Sequence, residues 1–206
     1  KIGSAQVKSS VILASLNSPG ITTIKEFYPS RNHTEKMLKY AGANIFIKKK
    51  NKKKIISIKG QVNYKSFKLQ IPGDISSASF FIIITLLNKN SKIIIKDVNL
   101  NPTRIGIIKI LKKMKANIRI INIKNICEEK VGDIIVKSSK LKSINCPKNL
   151  VPSAIDEFPI LMVAAARASG TSSFLGLEEL NKKESPRLNL MNKIFKKIGI
   201  KTKLIG

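Results

Sequence analysis

Hydrophobic and polar positions follow one order that the chain runs through three times. A mostly apolar segment from Gln6 to Leu16 ends at the Pro19-Gly20 break. ITTIKEF from Ile21 then reads as a strand, SRNHTEKMLKYAGA from Ser30 as a helix, and Asn44 to Lys48 and Lys54 to Lys59 as two lysine-rich strands. The order restarts after Pro72 with SSASFFIIITLL, SKIIIKDV, NPTRIGIIKILKKMKAN, IRIINIK and GDIIVKSS. It restarts again at Ile155 with DEFPILMVAAARA, TSSFLGLEEL, KESPRLNLMNKIFKKIG and a closing KTKLIG. Helix, strand, helix, strand, strand repeated in this way predicts an α/β fold, of the α+β kind, grown by internal repetition.

The two helices of each copy differ in a way that predicts their packing. Phe80 to Leu87 and Ile160 to Ala166 carry no polar stripe, which assigns these first helices to a buried centre. The last helix instead spaces Leu188, Met191, Ile194, Phe195 and Ile198 at helical period, with Lys193, Lys196 and Lys197 turned away. The expectation is a helical centre from the segments near Ser76 and Asp156, covered by strands around Ile94, Ile120, Ile134 and Phe174. Helix starts are marked too: Asn32 with Glu35 has the form of a capping box, and Asn101-Pro102 and Ser185-Pro186 each pair an N-cap with a first-turn proline. Beside them stand Arg31, Arg104 and Arg187. Helix starts already favour anions through unpaired N–H groups and the positive dipole end, so an arginine at all three points to carboxylate or phosphate handling.

Composition changes this picture only in part. A chain of 206 residues, 43% hydrophobic, has ample material for a core, and no apolar run reaches a membrane helix of roughly 20 residues. The formal charge of +27 invites a nucleic-acid reading, but nearly all of it is Lys, without interleaved aromatics for base stacking and without a Cys/His finger. Solvated lysine faces are the reading adopted. No nucleic acid and no membrane are expected as partners, while a basic surface concentrates small anionic substrates. Cys127 and Cys146 have no metal-ligand spacing and make no disulfide framework, so a reducing compartment and no metal are expected. Lys1 opens the sequence without an initiator methionine, which sets the expectation of a piece of a longer chain.

Six ordered runs then resemble a known family: GSAQVKS from Gly3, PSRNHTEKML from Pro29, PGDISSASFF from Pro72, NPTR from Asn101, IDEFPILMVAAA from Ile155 and GLEELNKKESPRL from Gly176. Order and spacing are similar to those of the 5-enolpyruvylshikimate-3-phosphate synthases, most of all the bacterial class II branch, over essentially the whole chain. The resemblance implies the enolpyruvyl-transferase fold, an inverse α/β barrel of two domains with three such units each and the active site in the cleft between them. Residues 1–70 would be the last repeat of the first domain and 71–206 most of the second. The implied reaction transfers the enolpyruvyl group of phosphoenolpyruvate to the 5-hydroxyl of shikimate 3-phosphate and releases phosphate. It is expected in the cytoplasm, without a cofactor, in a protein that is monomeric at full length.

The same resemblance assigns residues. Asp156 matches the general base and a phosphoshikimate contact, and Glu184 the group that moves the proton at the phosphoenolpyruvate methylene. Lys183 matches a phosphoshikimate contact and Arg187 a phosphoenolpyruvate contact. Ser4, Ala5 and Gln6 match the segment binding phosphoshikimate, with Gln6 able to reach phosphoenolpyruvate; Ser30 and Arg31 match a further phosphate-binding pair. Ala5 replaces the Ser of other branches, and Pro186 replaces a common Asp. Taken without the family, Asp156, Ser4 and Ser30 read as helix caps and residues 183–187 as a surface ion-pair cluster. His33 reads as a first-turn surface residue and Arg104 as structural. Two alternatives stay open. One is the UDP-N-acetylglucosamine enolpyruvyl transferase, which carries a reactive Cys in its first domain, whereas both cysteines here fall in the second-domain region. The other is a basic RNA-associated protein built on the same repeat.

Overall fold

The computed structural model describes residues 3–28, 30–50 and 53–205; Lys1 and Pro29, which the sequence reading touched, lie outside them. Two compact units divide the chain, residues 1–71 with 124–131, and residues 72–123 with 132–206.

The first unit realises the repeated order in full, with α1 (Ala5–Leu16), β1 (Ile21–Glu26), α2 (His33–Tyr40), β2 (Asn44–Lys50) and β3 (Lys53–Lys59). β3 lies between β1 and β2 and is antiparallel to both, with Ile24 opposite Ile56 and Ile45 opposite Ile58. Strand alternation turns Ile56 and Ile58 of β3 inward and gives β1 a less exposed face of Thr22, Ile24 and Glu26. On α1, Lys8, Ile12 and Ser15 are buried at helical spacing. The resulting core of Ile12, Ala43, Ile45, Ile56 and Ile58 is small. Lys8 and Glu26 reach its rim by parity alone, one from a helix face and one from a strand face, so each brings a charge to a place that demands a partner.

The second unit carries α3 (Ile75–Leu87), β4 (Lys92–Asn99), α4 (Gly106–Lys113), most of β5 (Asn117–Ile126) and β6 (Glu129–Lys137), α5 (Phe158–Ala166) and α6 (Arg187–Lys197). Its sheet order is β4-β6-β5, so the last strand of the copy takes the centre, as β3 does in the first copy. Cys127 and Glu128 join β5 to β6 with φ of 47° and 67°, the backbone that a tight two-residue hairpin turn requires. α3, α4 and α5 share one large core that includes Ile82, Leu86, Ile107, Leu111, Phe158 and Leu161. Phe174 adds an edge-on ring contact to Phe158, with centroids 5.5 Å apart. Short 3-10 turns over Lys148–Ser153 and Ile155–Glu157 lead into α5, and one over Glu178–Lys182 precedes α6.

Several expectations are corrected. α3 is apolar all round but not buried all round: Ile82, Ile83 and Leu86 face the core, while Phe80, Phe81 and Ile84 are each about 60% exposed. On α6 only Phe195 is buried, and Ile194 and Ile198 face outward. Phe174 lies in no strand, because Ser173 makes only an isolated bridge to Asn145, and residues 201–205 form no regular element. A strand needs a continuous neighbour for its backbone groups, and single bridges do not supply one. The capping box at α2 does not form, because Glu35 is drawn to Lys8 at 2.8 Å instead of turning back to Asn32. Asn101 and Ser185 do not cap the helices they precede. Asn101 closes a side-chain turn onto Thr103, and α4 begins only at Gly106. Pro186, at φ −74° and ψ 71°, occupies an inverse γ-turn in which the Arg187 N–H donates to the Ser185 carbonyl.

Candidate active site

In the first unit, the predicted phosphate-binding residues sit where α1 and α2 begin. Ser4 caps α1, its Oγ accepting from the Val7 N–H at 3.3 Å, so here the capping role is realised. Gly3 permits this entry, since a Cβ there would lie 2.9 Å from both the Tyr28 Cβ and the Tyr28 carbonyl oxygen. Ala5 is half-buried and Gln6 is exposed. Ser30 is not a cap. Its backbone N–H and its Oγ both donate to Glu26 Oε1, the former at 3.1 Å. Arg31 follows, half-buried, two residues before the first helical residue His33.

Beneath Ser30 lies a buried charge network. Lys8 Nζ stands 3.0 Å from Glu26 and 2.8 Å from Glu35, with the three side chains 4%, 7% and 1% exposed. Lys54 adds a second cation, 3.8 Å from Glu26 and 3.4 Å from Glu35. Burial pushes the Glu26 carboxyl up, but the hydrogen bonds from Ser30 and Lys8 and the charges of Lys8 and Lys54 outweigh it and hold the group below its ordinary range. His33 is a first-turn residue as expected, and its Nδ1 lies 2.7 Å from Glu129 Oε1.

In the second unit, Asp156 occupies the 3-10 turn before α5 and does not cap that helix. Its two oxygens face different cations. Oδ2 is 3.3 Å from Arg104 Nη1, whereas Oδ1 is 3.6 Å from Lys183 Nζ and 3.8 Å from Arg187 Nη1. Glu184 lies apart, 82% exposed, with Oε2 accepting from Arg187 Nη2 at 2.9 Å. Its own backbone N–H and the Arg187 charge hold its carboxyl below the ordinary range. The KESPR run therefore brings Lys183 and Arg187 to Asp156 but leaves Glu184 at the surface.

In sequence, Arg104 reads as structural, Glu35 as half of a capping box and Ser76 as a helix start, while Lys8 and Glu26 carry no site signal beyond their place in a helix and a strand. Arg104 was signalled by its place in the series of helix-start arginines, and Glu26 by its parity with Thr22 and Ile24. Nothing in the pattern paired Lys8 with two carboxylates. Among the described residues, no group of three or more His, Cys, Asp and Glu could hold a metal ion, and no helix is long and apolar enough to cross a membrane.

The chain is similar to known proteins in both sequence and fold. A 3-phosphoshikimate 1-carboxyvinyltransferase from Zymomonas mobilis is 45% identical over 199 residues, covering 97% of this chain and 44% of that protein. One from Thermoanaerobacter sp. (strain X514) is 47% identical over 205 residues, covering 97% of this chain and 46% of that protein. The solved structure of an EPSP synthase from Acinetobacter baumannii superimposes with a TM-score of 0.85 at 40% identity, covering 95% of this chain and 43% of that one. The chain thus spans less than half the length of these relatives. The family profile described as EPSP synthase (3-phosphoshikimate 1-carboxyvinyltransferase) matches residues 1–205, and the chain belongs to that family.

Proposed function

We propose that this chain contributes to an enzyme that joins phosphoenolpyruvate to the 5-hydroxyl of shikimate 3-phosphate and releases phosphate, a step of aromatic amino-acid biosynthesis carried out in the cytoplasm. Residues 1–70 are read as the last repeat of one domain and 71–206 as most of a second. The break between compact units at Ile71 and Pro72 supports that division, although residues 124–131 group with the first unit.

The observation that carries the reading is Asp156 with Arg104 on one oxygen and Lys183 and Arg187 on the other. Those cations suit a site for anionic substrates, and a carboxylate beside them suits the role of base assigned to Asp156. In the addition half, the 5-hydroxyl oxygen bonds to C2 of phosphoenolpyruvate, Asp156 receives its proton, and C3 gains a proton. In the elimination half, C3 gives a proton up, the C2–C3 double bond reforms and phosphate leaves. Glu184 is the group assigned to the C3 proton. Its carboxyl, held below the ordinary range, is ionised at neutral pH and suits the elimination half. Serving the addition half requires that anionic substrate beside it raise its proton affinity. Asp156, Lys183, Ser4, Ala5, Gln6, Ser30 and Arg31 are assigned to phosphoshikimate, and Gln6 and Arg187 to phosphoenolpyruvate.

The test is phosphate release from phosphoenolpyruvate, measured for the 206-residue chain and for a protein in which it is extended to the length of its relatives. Shikimate 3-phosphate should elicit release from the extended protein only, and UDP-N-acetylglucosamine from neither. Release that depends on the nucleotide sugar, or none with either acceptor, would overturn the reading.

A further inference from the structure

Arg104 is held on one side by groups that have no part in the proposed chemistry. Its Nη2 donates to Ser76 Oγ and lies 3.4 Å from Glu157 Oε1 and 3.7 Å from Asp74 Oδ1. Ser76 Oγ in turn donates to Glu157 Oε1. Glu157 is 2% exposed, and a carboxylate buried to that degree is tolerated only with a cation and hydrogen bonds around it. Glu157 and Ser76 therefore fix the guanidinium through one nitrogen. Its plane is rigid, so the other nitrogen, Nη1, is delivered to Asp156 Oδ2 at 3.3 Å. Two consecutive carboxylates thus share one planar cation by different corners.

Asp156 needs such a hold. Its chain neighbour Glu157 points into the core, Asp156 itself is 22% exposed, and without Arg104 its carboxylate could rotate so that Oδ2 as well as Oδ1 turns to Lys183 and Arg187. Engaging Oδ2 from behind turns only Oδ1 toward those two cations. We infer that Arg104, anchored by Glu157 and Ser76, is a positioning residue that orients the Asp156 carboxylate. The inference rests on the function proposed above, and it gives Arg104 a role beyond packing.

The decisive variant is the double substitution R104Q/E157Q in the extended protein, because removing both charges together leaves no buried unpaired carboxylate to unfold the unit. With thermal melting used to confirm the fold, kcat should fall at least about tenfold and toward 100-fold, the scale of a misplaced catalytic group, while KM for phosphoenolpyruvate stays within about twofold. Introduced into D156N, the same pair should cost almost nothing further, since a positioning residue has no effect once the group it positions is gone. An unchanged kcat, or a loss that adds in full to that of D156N, overturns the inference. If the unmodified protein releases no phosphate with shikimate 3-phosphate, the proposed function fails, and the orientation is then decided by crystal structures of the unmodified protein and R104Q/E157Q. Both Asp156 oxygens turned onto Lys183 and Arg187 only in the variant supports the inference; the same Asp156 rotamer in both overturns it.

Discussion

Each compact unit buries carboxylates around one long cation, but the two arrangements stand on different foundations. In the first, Lys8 lies between Glu26 and Glu35 at the rim of a small aliphatic core. In the second, Arg104 lies between Asp156 and Glu157, against a core that three helices and a sheet supply. Lys8 is a point charge that neutralises its partners and, through Glu26, pins Ser30. Arg104 is a fork, which can hold one carboxylate buried and present to the other a defined direction. The first cluster is accordingly expected to matter mostly for folding and the second mostly for turnover, and substitutions can separate the two.

The largest effects should fall on turnover in the second unit. Asp156→Asn and Glu184→Gln, in the extended protein, are each expected to lower kcat by roughly 10² to 10⁴, the range for losing a general acid-base group, with little change in stability. Arg187→Ala should instead raise KM for phosphoenolpyruvate, because it removes a cation and leaves the proton-transfer groups. Steady-state phosphate release separates these outcomes, and wild-type kcat for Asp156→Asn would take it off the catalytic list.

Next in size is the cost of opening the first cluster. Lys8→Met leaves Glu26 and Glu35 buried with Lys54 as the one remaining cation beside them among the described residues, and breaking a buried pair in this way costs about 3–5 kcal/mol. Urea unfolding, with hydrogen exchange to localise the effect to β1 and β3, measures it. A loss below about 1 kcal/mol would mean that the cluster is solvated and that the small core alone holds the unit.

How much of this was legible in the sequence follows from the range of the forces involved. Element order and the two complete copies were readable because periodicity is local: Ile56 and Ile58 alternate, and Ile107, Ile110 and Leu111 recur at helical spacing. The burial of α3 was misread because an apolar helix does not reveal which of its faces has a neighbour, and Phe80 and Phe81 look the same in sequence as Ile82 and Ile83. Among the site residues, the approach of Lys183 and Arg187 to Asp156 was accessible only through the family resemblance. The Lys8 network joins positions 8, 26, 35 and 54, distances in sequence that no local pattern encodes. Charged residues at inward parity, such as Glu26, were the available clue that a partner must exist.

A smaller effect is expected from pH. The Glu26 carboxyl is held below its ordinary value of 4.5 in the folded chain. A lowered folded value means that the unfolded state binds the proton more readily, so the contribution is complete above the unfolded value and is lost as pH falls through the folded one. Hydrogen exchange of the β1 and β3 amides should therefore quicken, beyond the intrinsic trend, below about pH 4.5. Glu26→Gln should flatten that dependence and weaken the unit at neutral pH. An acid limb unchanged in Glu26→Gln would assign it to another carboxylate, with Glu129 the next to test, since burial pushes its carboxyl up but the contacts with His33 and Lys36 outweigh that and hold it below the ordinary range.

The smallest effect, and the most informative for the second unit, concerns the outer face of α3. Ile83 is 1% exposed and Phe81 is 58% exposed, although they stand two residues apart in one apolar run. Ile83→Ala in the 206-residue chain should cost about 2–5 kcal/mol, the range for emptying a packed core position. Phe81→Ala should change stability by less than about 0.5 kcal/mol, as a surface substitution does. The same Phe81→Ala in the protein extended to the length of its relatives asks whether added chain covers that face. If it does, the cost should rise to about 3–5 kcal/mol, the range for a buried Phe, with Ile83→Ala unchanged. Thermal melting of the four variant proteins beside their parents gives the comparison. Equal, small losses for Phe81→Ala in both lengths would show that Phe80, Phe81 and Ile84 form a surface that the rest of the protein leaves open. A large loss already in the 206-residue chain would show that self-association or an alternative packing covers α3 there.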